Sequence, residues 1–175
     1  ANEECICSES ADVFKCIDIF NIKGHIQWAK EILKKGIRIK GVLAAGIDAH
    51  ETMAYLAEYL DLPGVSPQIS HLVSNKDLFR KKMRRIGIDT PIFEVVSLQN
   101  IDSLEEIVKK VEFPLIVKNT SSSGSRGTKI FYKPDLKGIK NMVKEAINVS
   151  RSKKALIESF WVGTEHTVET IFNIK

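Results

Sequence analysis

The sequence predicts an α/β chain, with a partial parallel sheet in residues 1–70 and a second, α+β unit in residues 71–175. Three observations predict it. Strand-like and helix-like segments alternate over the first sixty residues. Pro63-Gly64 and Pro67 then break the rhythm. Beyond them, short apolar runs alternate with amphipathic helices around one loop of small residues. The composition agrees, since 43% of the 175 residues are hydrophobic and 27% are charged, which suits a globular protein and argues against disorder. The longest clean apolar stretch, Val42-Leu43-Ala44-Ala45, falls far short of the about 20 residues of a membrane span. Residues 1–10 are acidic and have no apolar core, so they do not read as a secretory signal.

Each element follows from its residues. Residues 13–20 are rich in β-formers and read as a strand. Ile22, Ile26, Ala29 and Leu33 recur at helical spacing, and Gly36 ends that helix. Residues 39–47 are an apolar run between turn signals, a buried strand. Residues 49–60 form a helix with Met53, Leu56, Ala57 and Leu60 on one face. Strand, helix, strand, helix implies a parallel sheet, whose ligand edge lies at the strands' carboxyl ends near Asn21 and Asp48 to Glu51. His50 and Glu51 there read equally well as helix-start residues.

In the second unit Ser74 reads as an N-cap with Asp77 at N3. The helix it starts is expected to bury Phe79, Met83 and Ile86 and stops at Gly87. Pro91 to Ser97 is a strand. Ser103 caps a helix using Leu104, Ile107, Val108 and Val111. Pro114 to Lys118 is a strand that feeds a small-residue loop, Asn119 to Gly127, and Thr128 to Tyr132 resumes a strand. Residues 135–149 form a helix on Leu136, Ile139, Val143, Ala146 and Ile147. Two more strands follow, Ala155 to Glu158 and Glu165 to Ile174.

The formal net charge of +4 is weak evidence for a polyanionic partner. Six basic residues crowd Lys76 to Arg85, yet only Phe79 interleaves them, which fits a solvated helix face better than a nucleic-acid groove. Cys5, Cys7 and Cys16 include no CxxC pair and match no zinc spacing even with His25, so a reducing cytoplasm is the expectation.

The loop Ser121-Ser122-Ser123-Gly124-Ser125-Arg126-Gly127 carries the chemistry. Its backbone N–H groups are unobstructed, its serines add donors, and Arg126 adds charge, all suited to phosphate. GxxxxGK[ST] is absent and the next element is a strand, which excludes a P-loop. A flexible hairpin connection is the plain alternative. Lys118, at the mouth of the strand, either snorkels to water or meets a fixed anion. Lys76 opposes the dipole of its helix, which points to an external anion or to an ordinary surface lysine. Glu158-Ser159-Phe160-Trp161-Val162-Gly163-Thr164-Glu165 sets two carboxylates around an aromatic connector, able to take a planar base and ribose or to serve as a plain turn.

In this order, Lys76, Lys118, the Ser/Gly loop and Glu158 to Glu165 resemble the ATP-grasp superfamily. The likeness is to the group of biotin carboxylase, carbamoyl phosphate synthetase and the formate-dependent phosphoribosylglycinamide formyltransferase. Residues 13–67 resemble the Rossmann-like, pre-ATP-grasp domain of these enzymes, and the remainder the lid and front part of an ATP-grasp fold, with a lid subdomain over about 114–158. The resemblance implies that Lys76 and Lys118 contact ATP phosphates and that Ser123, Gly124, Ser125, Arg126, Gly127 and Thr128 form the lid loop. It implies that Glu158, Phe160 and Trp161 line the adenine and that Glu165 binds the ribose. Catalytic residues are not assigned. Mg²⁺ is the implied companion of ATP, its ligands expected beyond Lys175, so the chain reads as the amino-terminal part of an enzyme, itself inactive.

The activity implied is an ATP-dependent ligase that makes an acyl phosphate for an amine or similar nucleophile. A small carboxylate is its substrate, no membrane or nucleic acid is involved, and a homodimer of the full-length protein stays open. A non-catalytic nucleotide-binding module and a nucleic-acid binder are the alternatives.

Overall fold

The computed structural model describes residues 8–121 and 126–170. Cys5, Cys7, Ser122, Ser123, Gly124, Ser125 and Ile171 to Ile174 lie outside the described residues. They form two compact units, one of residues 8–88 with Ser121 and one of residues 89–120 with 126–170.

The first unit is built on four helices, α1 (Ile22–Lys34), α2 (His50–Tyr59), α3 (Pro67–Ser74) and α4 (Lys76–Arg85). Asn21 opens α1, its side-chain oxygen accepting from the Gly24 N–H at 2.9 Å. The chain leaves α1 through Gly36 at φ 77°, a left-handed turn suited to glycine. Consecutive helices pack in turn, α1 on α2, α2 on α3 and α3 on α4.

The expected strands at 13–20 and 39–47 are not strands here. Both runs are non-helical, without a ladder, and Leu43 is 87% exposed. A parallel ladder is stable only with neighbouring strands and covered faces, and the described residues of this unit supply neither. The Ile19 carbonyl instead accepts from the Thr52 hydroxyl of α2 at 2.6 Å. Ile19, Trp28, Val42, Met53 and Leu56 line an apolar pocket of about 250 Å³. On α2 the fully buried residues are Thr52, Ala54 and Ala57, with Met53, Leu56 and Leu60 only half-buried. At the predicted ligand edge, Glu51 pairs with Nδ1 of His71 at 3.1 Å.

Helix α3 has no counterpart among the predicted elements. Ser66 caps it by accepting from the Ile69 N–H, and Pro67 occupies its first turn, where its missing N–H is harmless. Ser74 is therefore the last residue of α3 and not the cap of α4. Asn75 holds that junction, ending α3 and starting α4. Its amide nitrogen donates back to the His71 carbonyl at 2.8 Å.

The second unit is one antiparallel sheet covered on one face by helices. Its strands are β1 (Phe93–Val96), β2 (Leu115–Asn119), β3 (Lys129–Phe131) and β4 (Ala155–Ser159), in the order β1-β4-β2-β3. A 3₁₀ turn at Ile101–Ser103 leads into α5 (Leu104–Lys109), and α6 spans Leu136–Val149. Ser103 stands at the start of α5, as expected, but makes no side-chain capping bond. Asp135 caps α6 by accepting from the Gly138 N–H at 2.9 Å.

Register sorts the side chains. Leu115 faces Phe131 across one neighbour, and Val117 faces Ile157 across the other. With Val96 and Ala155 these form the core beneath Ile139, Val143, Ala146 and Ile147 of α6 and Leu104, Ile107 and Val108 of α5. Each Val, Leu, Ile and Phe side chain among them contributes about 1.5–3 kcal/mol on burial, and the alanines less. Leu136, expected on the buried face of α6, is instead 42% exposed, and Met142 is buried in that row. The opposite face of the sheet carries Phe93, Ile116, Lys118, Leu156 and Glu158, by strict alternation along each strand.

The expected strand over Glu165 to Ile174 does not form over 165–170, which is exposed and unpaired with the sheet. No helix among the described residues is long and apolar enough to cross a membrane.

Candidate functional site

β2 is apolar until Lys118, one residue before its end, and Lys118 shares a sheet face with Glu158 of β4 because Ile116 lies opposite Glu158. The ammonium donates a hydrogen bond to Oε1 of Glu158. Glu158 is 2% exposed and the Lys118 side chain 25%. A carboxylate buried to that degree needs a charge partner, since leaving it bare costs several kcal/mol. The pair thus explains both residues. It fixes the Lys118 ammonium on the sheet and leaves two of its N–H bonds for an anion.

The backbone at the mouth of β2 is tied down on both sides of the loop. The Asn119 amide nitrogen donates to the Arg126 carbonyl at 2.6 Å. Gly127 sits at φ 64°, where a Cβ would come within 2.8 Å of Val149 Cγ2 and 3.1 Å of Ala146 Cα. On the other side, the Thr120 hydroxyl meets that of Ser150 at 2.9 Å and also that of Ser152, and it reaches the Lys154 carbonyl at 3.3 Å. Thr120 and Ser150 are almost completely buried. Thr120→Val keeps the shape and removes the hydroxyl, so a loss of about 1–3 kcal/mol is expected in denaturant unfolding. Thr120→Ser should recover most of it.

Past Glu158 the chain runs out along the surface. The Phe160 N–H donates to the Pro114 carbonyl at 2.7 Å, which continues the β2–β4 pairing by one step. Phe160 is half-buried, Trp161 is 61% exposed, and Glu165 is exposed. Thr128 lies between Gly127 and β3 and is half-buried. Lys76 is the first residue of α4 and belongs to the first unit, whereas Lys118, Arg126, Glu158, Phe160, Trp161 and Glu165 belong to the second.

Among the expected site residues, the structure joins Lys118 directly to Glu158, a contact that sequence spacing does not reveal. Asn119 and Thr120 were read only as part of the loop. Their position beside Lys118 at a strand end is the signal that singles them out. Among the described residues no group of three or more His, Cys, Asp or Glu side chains could hold a metal ion.

A family model described as the carbamoyl-phosphate synthase L chain, ATP binding domain, matches residues 75–171. The carbamoyl phosphate synthase large chain of Pyrococcus furiosus is 29% identical over 114 residues, covering 65% of this chain and 10% of that protein. The D-alanine–D-alanine ligase of Desulforamulus reducens is 30% identical over 132 residues, covering 70% of this chain and 40% of the ligase. The crystal structure of the Bacillus anthracis D-alanine–D-alanine ligase superposes with a TM-score of 0.60 at 26% identity, over 77% of this chain and 44% of that one. The biotin carboxylase domain of the Hydrogenobacter thermophilus 2-oxoglutarate carboxylase, solved with MgADP, superposes with a TM-score of 0.61 at 18% identity, over 87% and 35% of the two chains. That last likeness concerns the fold alone. The chain thus spans about a tenth of the carbamoyl phosphate synthase relative and 40% of the ligase.

Proposed function

Because the chain belongs to the ATP-grasp family of the carbamoyl-phosphate synthase L chain ATP-binding domain, we propose that it supplies the nucleotide-binding part of a ligase that activates a carboxylate with ATP. The observation that carries this reading is the Lys118–Glu158 pair on the face of β2 and β4 turned away from α5 and α6.

Lys118, oriented by Glu158, holds the triphosphate with its remaining N–H bonds. A paired lysine and glutamate are neutral together, so further cations must offset the phosphates, and Arg126 and Lys76 are assigned that part. Ser123, Gly124, Ser125, Gly127 and Thr128 are assigned to the phosphates through the loop backbone and hydroxyls. Phe160 and Trp161 are assigned to the adenine, with Glu158 at its edge, and Glu165 to the ribose. Residues 1–70 are assigned to the preceding domain and 71–175 to part of the ATP-grasp domain, which counts α4 with the latter although it packs in the first compact unit.

A substrate carboxylate oxygen attacks the γ-phosphorus, the bond from that phosphorus to the β,γ-bridging oxygen breaks, and ADP leaves. An amine or similar nucleophile then attacks the acyl carbonyl and expels phosphate. The chain's contribution is positioning and charge neutralisation of the phosphates. Mg²⁺, as the ATP complex, supplies further neutralisation, and the described residues contain no cluster to hold it.

The test is to incubate the full-length protein with MgATP, hydroxylamine and a panel of small carboxylates. One carboxylate should elicit ADP release together with its hydroxamate, the trapped acyl phosphate. Release of AMP and pyrophosphate, or nucleotide binding without turnover on any carboxylate, would overturn the ligase reading.

A further inference from the structure

We propose that Asn119 is a positioning residue for Arg126, setting where its guanidinium meets the phosphates. The proposal rests on the assignment of Lys118 and Arg126 to ATP and goes beyond it. Asn119 ends β2, directly after Lys118, and is 2% exposed. Its side chain lies on the α5/α6 side of the sheet, opposite to Lys118, because neighbouring strand residues alternate. From there its amide nitrogen reaches across the loop to the Arg126 carbonyl at 2.6 Å.

The same peptide is held from its other end. Gly127 has a left-handed φ of 64° and rests against Ala146 and Val149 of α6, with no room for a Cβ. Arg126 is therefore fixed in the backbone by a part-buried hydrogen bond and by the close approach of its neighbour Gly127 to a helix, and the residue is exposed. Two consequences follow. The backbone there needs no further ordering when an anion binds, which lowers the entropic cost of engaging the guanidinium. The Arg126 side chain also leaves the loop from a backbone point set by Asn119, the neighbour of the phosphate lysine, so both cations take their positions from the end of one strand.

Asn119→Leu removes the donor while keeping a side chain of similar size. In the full-length enzyme, assayed with ATP varied at saturating carboxylate, it should raise KM for ATP about tenfold with kcat within about twofold. Arg126→Ala should raise KM for ATP at least as much. The double variant should be no worse than Arg126→Ala alone, because Asn119 acts through Arg126. Additive effects on KM would overturn the proposal in favour of a merely structural bond, as would an unchanged KM in Asn119→Leu. Should that variant fail to fold, Asn119→Ser keeps a polar group but is too short for the Arg126 carbonyl, and the same cycle is run with it. A separate outcome addresses the underlying assignment. Unchanged KM for ATP in both Lys118→Ala and Arg126→Ala would refute the phosphate assignment itself, whereas a raised KM in both with additivity at Asn119 refutes only the positioning role.

Discussion

Lys118→Ala is expected to weaken ATP binding by about 10²- to 10⁴-fold, the equivalent of two charge-assisted hydrogen bonds to phosphate. It should also destabilise the second unit, because Glu158 at 2% exposure loses the Lys118 ammonium. Breaking a buried pair costs about 3–5 kcal/mol. The lower end applies here, since the Lys118 side chain is 25% exposed and partly screened. The two effects are separable. Lys118→Met combined with Glu158→Leu removes both charges and should restore most of the stability while leaving ATP binding lost. Lys109→Ala is the control on the preceding helix. Lys109 pairs with Glu105 at 2.8 Å on the exposed surface, and its ammonium holds the Glu105 carboxyl below the ordinary carboxylate range. Removing it should leave ATP binding within about twofold, as should Lys110→Ala. Equal losses in all three variants by calorimetric titration would contradict the assignment of Lys118.

Gly127→Ala is the second large effect. Alanine would have to hold a φ of 64°, which costs about 1–3 kcal/mol in the left-handed region. Its methyl would also sit 2.8 Å from Val149 Cγ2 and 3.1 Å from the Ala146 Cα, and a helix backbone does not yield as a flexible side chain does. Overpacking of this kind costs about 1–3 kcal/mol more. We expect about 2–6 kcal/mol of destabilisation by chemical unfolding, with a weakened affinity for ATP because the backbone beside Arg126 shifts. Val149→Ala should relieve part of the clash. An alanine variant as stable as the parent would contradict the described seat of Gly127 on α6.

Much of the second unit is legible in its residues. Pro114 to Lys118 is an uninterrupted apolar run ending in one lysine, and Ala155 to Glu158 repeats the pattern with a terminal carboxylate. Such runs mark buried strands, and the helix periodicity from 135 to 149 survives in α6, bounded by Asp135. The pairing of Lys118 with Glu158 is not legible, because it depends on an antiparallel register between residues forty positions apart. Helix α3 was hidden for a local reason. Ser66-Pro67 looks like a break, yet the same two residues cap and open a helix. Ser74 looks like a cap in sequence, but Asn75, one residue later, serves two helices at once. The β-rich stretch 13–20 and the apolar run 39–47 show the opposite failure. Strand propensity is local, but a parallel strand exists only where neighbours complete its ladder.

The central claim is that ATP lies against the β2–β4 face at Lys118 and Glu158. Amide hydrogen exchange of the full-length protein, with and without saturating ATP, tests it most directly. Added protection is expected at peptides covering residues 115–121 and 155–165, with the α5 segment at 104–111 unchanged. Protection confined to residues 8–60, or none in the two strand segments at saturating nucleotide, would contradict it.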